Sequence, residues 1–507
     1  MQFPGTSGGP VANNAYDKLF SLISDLGAIG SAAEILDWDQ EVMMPKSDDG
    51  QGITTMIRAK ELGALAAMTH ARFVDPSVGT LLAALREDRT LDEDQRAFVY
   101  EIDFDYRRAI RVPSEFVRRE KETFTRANAI WEVARKENDF QRFLPVLTDV
   151  FALAIERAQL IDADREPYAV LFEGYERGIP LDEVRAHFAR IRDTIKPLIA
   201  NLASKRQAQE DSLDFPLSQE TQLAFHREIA AVLGYDFSKG RIDLTAHPFS
   251  AAFGRIATRL TDGPLNSLFS TIHEAGHAMY DHNCVTGNLA WFGTPLAQAR
   301  GLGVHESQSR LWENNVGRSD AFWRYAYPRM QRAFAPFFDG IPRERIVAEI
   351  NQAQPGLIRV NADELTYPMH VFLRFEIEQD VLEGRLAVAD IPAVWNEKMR
   401  EYLGVIPPDD AHGCLQDVHW SCGMVGYFPT YVIGSMLAAQ EYAAAQRDIP
   451  GLEDRLAAGD TTPLQEWLRT RIHKPACRYP TKELIRRATG KDPAPDDYIA
   501  YLTAKFG

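Results

Sequence analysis

At 507 residues, 45% hydrophobic and 25% charged, the chain is long enough for one large core or for two to three ordinary domains, and its composition excludes a wholly disordered protein. Seventy-two Asp and Glu against 56 Lys and Arg leave a formal net charge of -16, so most of the surface repels phosphate backbones and anionic headgroups, and nucleic acid is not an expected partner. Four scattered cysteines, Cys284, Cys414, Cys422 and Cys477, are too few for a disulfide framework and fit a reducing cytoplasm.

Met1 to Ala12 is Gly/Pro-rich, lacks the basic start and apolar run of a signal peptide, and reads as part of a flexible N-terminus covering residues 1–13. No stretch approaches the roughly 18 apolar residues of a membrane helix, so no membrane partner is expected. From about Asn14 to Arg206 amphipathic helical segments follow one another, as in Tyr16–Leu36, Gly52–His70, Leu91–Ile110 and Pro113–Glu137. Prolines 113, 145, 167, 180 and 197 are expected at or near segment ends, where a missing N–H costs little. Leu233–Phe253, with Gly, aromatics and short alternation, is where strands or an ordered loop are expected. No Pro/Gly/Ser linker divides the chain. Residues 14–507 therefore read as one large, mainly α domain with at most a small β element and two lobes around a groove.

In Leu265–Asn283 the residues Leu265, Leu268, Phe269, Ile272, Gly276 and Met279 recur at three- and four-residue steps, which predicts a helix with one buried stripe. His273 and His277 lie one turn apart beside that stripe, and Glu274 projects about 100° round from His273. This is an HExxH pattern, HEAGH, in which two imidazoles hold zinc and the Glu handles a water. Gly276 inside a good helix costs up to about 1 kcal/mol relative to Ala and implies a packing or site reason.

A third ligand is expected from the next helical start. After Gly301-Leu302-Gly303, the segment His305–Asn315 opens with His305 and Glu306, both within reach of an ion, and Glu306 lies 29 residues after His277. Glu306 is preferred because a His2Glu set matches peptide-hydrolysing zinc sites.

Taken together, HEAGH at 273–277, HESQ at 305–308, IRVNAD at 358–363, GCLQDVHW at 413–420, HPF at 247–249 and WDQEVMMP at 38–45 resemble, in order and spacing, the signature set of the carboxypeptidase Taq family of metallocarboxypeptidases. The resemblance covers about residues 14–505. It implies a nearly all-helical protein with a deep groove, a homodimer, removing single residues from peptide C-termini with broad specificity, using zinc or, as a substitute, cobalt. It also implies His273, His277 and Glu306 as metal ligands and Glu274 as the catalytic Glu. One element departs. The family's Asp-x-Arg-x-Thr is represented by residues 253–261, where aligning on Arg255 puts Phe253 at the Asp and aligning on Arg259 puts Ala257 there.

A carboxypeptidase must grip a free carboxylate, which Arg does through paired charge-assisted bonds. Arg359 is the first candidate, with Arg255 and Arg259 behind it. His419 and Tyr427 are candidate donors to the oxyanion of the transition state, with Tyr431 a close second; Asp417 is an alternative partner for a ligand His. His247 is either a loop brace or a substrate contact. The competing readings are an oligo-endopeptidase or dipeptide-releasing carboxypeptidase on a similar scaffold, and an inactive peptide-binding relative.

Overall fold

The structure, a computed structural model, describes residues 14–45, 53–204, 213–245, 248–251, 254–261 and 263–507. Residues 1–13, expected to be flexible, lie outside the described residues, as does His247. Among the described residues there are twenty α-helices and one three-stranded sheet, in keeping with the mainly helical expectation. The first helices are Asn14–Val42, Ile53–Phe73, Pro76–Arg86, Glu93–Ala109 and Ser114–Glu137. Local chemistry sets several of their starts. Asp92 and Gln95 form a reciprocal capping box at Glu93–Ala109, and Asp75 caps the helix that begins at Pro76.

Two expectations need correction. Pro145 and Pro197 lie inside the helices Phe140–Ile161 and Leu181–Ser204, although Pro113, Pro167 and Pro180 do mark helix starts. A proline within a helix costs about 3 kcal/mol, and here burial of Phe143, Val146 and Leu147 around one, and of Ile195 and Ile199 around the other, offsets it. The Asn14–Val42 helix is also, by length and composition, long and apolar enough to cross a membrane, with a mean hydropathy of 1.5 over its most apolar 18 residues. Leu, Ile and Phe side chains spread along the helix, with few charges between them, give it that value.

The buried side chains form two clusters. A small one joins Tyr16, Leu19, Ile23 and Leu26 of the first helix to Leu82, Phe98 and Ile102, and the main one runs from Val112 to Leu502. The sheet falls in the expected region and extends just past it: β1 Arg241–Leu244, β2 Phe249–Ala251 and β3 Arg255–Thr258, in the order β1-β3-β2, with β1 parallel and β2 antiparallel to β3.

Three helices carry the site: Pro264–Gly287 with HEAGH, Leu302–Arg310 with HESQ, and Pro429–Asp448. The first buries Leu265, Leu268, Phe269, Ile272 and Met279, the stripe read from the sequence. The HESQ helix is clamped at both ends by buried carboxyls. Glu176 accepts from the Gly303 N–H at 2.7 Å, and Glu441, on Pro429–Asp448, accepts from Ser307 Oγ at 3.1 Å and Gln308 Nε2 at 2.8 Å.

Burial, only partly offset by Gln308 and Ser307, pushes the Glu441 carboxyl from 4.5 up to about 8. The folded protein keeps a proton that the unfolded chain releases, so the stability this group contributes is complete below about pH 4.5 and is lost as pH rises through about 8. Glu441→Gln is expected to flatten that decline by a few kcal/mol over about pH 5–8, measured as urea-unfolding free energies; an unchanged slope would refute it.

Candidate metal centre

His273 and His277 stand one turn apart on the HEAGH helix with ring centroids 4.8 Å apart. Glu306 Oε2 approaches His273 Nε2 to 3.5 Å and His277 Nε2 to 3.4 Å, and the three candidate ligand atoms all lie within 4.8 Å of one another. Ligands held about 2.0–2.1 Å from a tetrahedral zinc stand about 3.3 Å apart, so both Glu–His separations fit. The donor set, two imidazoles and a carboxylate, fits as well.

The approach depends on two missing side chains. A Cβ on Gly276 would meet Gln308 O and Ser309 Cα, both at 2.7 Å, so the glycine lets the HEAGH and HESQ helices cross backbone to backbone. That is the packing reason its presence in the helix implied. From the opposite side Gly434 leaves room for Glu306, whose Cβ a methyl there would meet at 2.5 Å.

Further groups hold the ligands. Glu313 Oε2 bonds His273 Nδ1 at 2.9 Å, leaving Nε2 for the ion, while Arg310 bonds Glu306 Oε1 at 2.7 Å and Glu313 Oε2 at 3.2 Å. Arg318 reaches Glu313 Oε1 at 3.3 Å. Sequence reasoning missed both Glu313 and Arg310. The signal was present, since they follow Glu306 at the i+7 and i+4 positions of one helical face, and the run continues into a π-helical turn over Leu311–Val316. The candidate role of Asp417 as partner of a ligand His is corrected: Asp417 binds Arg359 at 2.8 Å and is also salt-bridged to Arg374, whereas Glu313 is the carboxylate on His273.

Burial pulls the His277 imidazole down to about 4, so it is neutral at pH 7 as a ligand must be. Burial, reinforced by Glu306, pushes Glu274 up to about 7, against the lowering pull of His273. Burial opposes ionisation of Glu306 too, but Arg310 and His273 outweigh it and hold the carboxyl well below its ordinary range. Glu306 and Glu313 are thus both held in the charged form against Arg310, with Arg318 also on Glu313, so the candidate carboxylate ligand offers an anion to a cation.

His305, the alternative ligand, has its Nε2 on Asp281 at 3.0 Å and its ring stacked on His277 at 4.3 Å, which favours Glu306 as the third donor. Arg359 is buried, with Nε and Nη2 on Asp417 and Nη1 on the Tyr367 hydroxyl at 3.2 Å. His419 Nε2 lies 3.1 Å from the Tyr431 hydroxyl, with the Tyr427 ring 5.4 Å from the imidazole. Arg255 is on β3 with its guanidinium over the Trp38 ring at 5.1 Å, and Arg259 is exposed just beyond that strand. A cavity of about 700 Å³ adjoins the centre at His305 and is lined in part by Glu34, Asp37, Trp38 and Asp281.

Comparison with known proteins gives one consistent result. The profile of the carboxypeptidase Taq (M32) metallopeptidase family matches residues 18–506. The chain is 36% identical to thermostable carboxypeptidase 1 of Thermus thermophilus over 97% of its own length and 98% of that protein's. Among solved structures, an M32 carboxypeptidase from Deinococcus radiodurans superposes with a TM-score of 0.93 at 36% identity, covering 98% of this chain and 99% of that one. Metallocarboxypeptidase 1 of Trypanosoma cruzi superposes with a TM-score of 0.92 at 34% identity, covering 98% and 100%.

Glu313→Ala is expected to weaken metal binding about 10- to 100-fold, because His273 loses the acceptor that fixes its ring and tautomer. Competition with a chelator of known affinity measures it, and wild-type affinity in the variant would remove Glu313 from the centre.

Proposed function

The chain belongs to the carboxypeptidase Taq (M32) family and is a metallocarboxypeptidase, a hydrolase of peptide bonds that uses a divalent metal; from that premise we propose that it removes single C-terminal residues with broad specificity, with zinc held by His273, His277 and Glu306 and Glu274 as general base. The observation that carries this reading is the approach of Glu306 Oε2 to both imidazoles, 3.5 and 3.4 Å, with Glu274 buried on the same helix.

Zinc in that set supplies a Lewis acid and lowers the pKa of water to about 7. Glu274, pushed up to about 7, is matched to take a proton from the attacking water and release it to the leaving amine. His419 and Tyr427, with Tyr431 behind them, donate to the oxyanion. Burial keeps His419 neutral, pulled down to about 4, so that it donates as an imidazole without bringing a second charge.

Arg359 receives the substrate's C-terminal carboxylate. Support comes from charge: Arg359 and Arg374 share the single carboxylate of Asp417, so one buried positive charge is left over. Arg255 and Arg259 stand second, and His247 is kept as a substrate contact on the strength of its motif alone. The same reading includes a cytoplasmic homodimer that binds neither nucleic acid nor membrane, supported by the family resemblance and the net charge of -16.

Two experiments test the mechanism. Glu274→Gln is expected to retain one zinc per chain and lose about 10²–10⁴-fold in kcat, since water activation and proton transfer both depend on the carboxylate; turnover equal to wild type would remove Glu274 as base. Amidating the C-terminus of a short peptide is expected to cost at least about 100-fold in kcat/KM, the loss of a bidentate charged pair of about 3 kcal/mol; equal cleavage of acid and amide would overturn carboxylate recognition.

A further inference from the structure

Both proposed oxyanion donors, His419 and Tyr427, sit in a stretch of turns that ends where the helix Pro429–Asp448 begins. Turn backbone is soft unless something outside fixes it. Asp417 is tied to Arg359 and Arg374, and the Leu415 carbonyl accepts from the Trp131 indole at 2.9 Å, but these bonds hold only the start of the stretch.

Further along, Asn128 Oδ1 accepts from Ser421 Oγ at 3.0 Å, and one other side chain reaches the neighbours of both donors. Glu378, in the helix Tyr367–Leu382, has no exposed surface. Its Oε1 accepts from the Trp420 indole N–H at 2.9 Å. Its Oε2 accepts from the Gly426 backbone N–H at 3.1 Å and from the Tyr168 hydroxyl at 2.9 Å. Trp420 immediately follows His419 and Gly426 immediately precedes Tyr427. Oε1 therefore holds the neighbour of His419 and Oε2 the neighbour of Tyr427.

Stability does not explain this arrangement. The three hydrogen-bond partners are neutral, and burial, with the two side chains and one N–H opposing it, still pushes the carboxyl up to about 7. A buried acid so placed costs more than an apolar side chain of equal size. What a carboxylate alone supplies is acceptors on both oxygens; an amide would turn its NH2 against either the Trp420 indole N–H or the Gly426 N–H.

We propose that Glu378 is a positioning residue for peptide hydrolysis, setting His419 and Tyr427 relative to each other by anchoring Trp420 and Gly426. The proposal rests on the reading of those two residues as oxyanion donors. Donors matter only at the geometry the transition state requires, so loosening them lowers kcat and leaves ground-state binding through Arg359 in place.

The test uses the full-length, zinc-loaded protein and a short unblocked peptide, with kcat, KM, bound zinc and thermal unfolding read for each variant. Glu378→Gln is expected to lower kcat about 10- to 100-fold with KM within about twofold and zinc unchanged. In a His419→Ala, Tyr427→Phe background the same change is expected to add less than about twofold, because the residues it positions are gone. If the donor pair variant loses turnover but Glu378→Gln alone does not, positioning is overturned and the donor reading stands. If the donor pair variant keeps wild-type kcat, both fall. Should Glu378→Gln unfold or lose zinc, Trp420→Phe removes one anchor and leaves the carboxylate; a severalfold drop in kcat at constant KM is expected, and an unchanged kcat overturns the proposal.

Discussion

The constraint on which the rest of the structure depends is the passage of three helices at backbone distance. Glu306 sits between the HEAGH helix and Pro429–Asp448, and at each crossing the partner helix presents a glycine, Gly276 on one side and Gly434 on the other. With any larger residue the HESQ helix would stand further off, and a carboxylate on a short Glu stem would no longer lie 3.4–3.5 Å from both imidazoles. Overpacking of this kind costs about 1–3 kcal/mol in an ordinary core. Here it would also separate the candidate ligands, which makes the two glycines part of the centre's geometry although neither offers a ligand atom.

Around that crossing the buried carboxyls divide into two kinds. Glu306 and Glu313 lie against Arg310 and are held in the charged form. Glu176, Glu378 and Glu441 accept hydrogen bonds from neutral donors, and burial pushes them up to about 7, 7 and 8. The first kind tunes charge where a cation is expected. The second kind ties segments together: Glu176 and Glu441 fix the HESQ helix, and Glu378 fixes the turns that carry His419 and Tyr427. A carboxyl suits that task because its two oxygens accept from several directions, and the elevated pKa lessens the charge that has to be buried.

How much of this was legible follows from how local each feature is. The HEAGH helix was readable because the three- and four-residue steps of its apolar stripe and the i, i+4 spacing of its His residues are properties of one helix. Glu306 was readable as a candidate because few residue types bind zinc and only His305 competed with it. Glu313 and Arg310 were on the same face but looked like any helical ion pair, and only the crossing at Gly276 turns that face toward His273. Asp417 went the other way. Its motif drew attention to it, but its partners, Arg359 and Arg374, lie 58 and 43 residues away, and nothing in a single sequence records such contacts. The interior Pro145 and Pro197 belong to the same class, since the side chains that compensate them are gathered by tertiary packing.

The arrangement of charge also bears on which way a peptide would lie. On the proposed reading, Arg359 connects to Glu306 through the Tyr367 hydroxyl and the guanidinium of Arg310 over the Tyr367 ring at 4.5 Å. The large cavity instead meets the centre through His305, stacked on His277. Glu34, Asp37 and Asp281 line that cavity, and an anionic C-terminus placed there would face like charge. Arg255, one of the two candidate motif arginines, lies over Trp38, which is itself part of the cavity wall. An aromatic face orients a guanidinium without neutralising it. Arg255 thus stands on the side where Glu34, Asp37 and Asp281 disfavour a carboxylate. On the proposed reading, then, the C-terminus goes to Arg359 and the body of the peptide runs toward the acidic cavity.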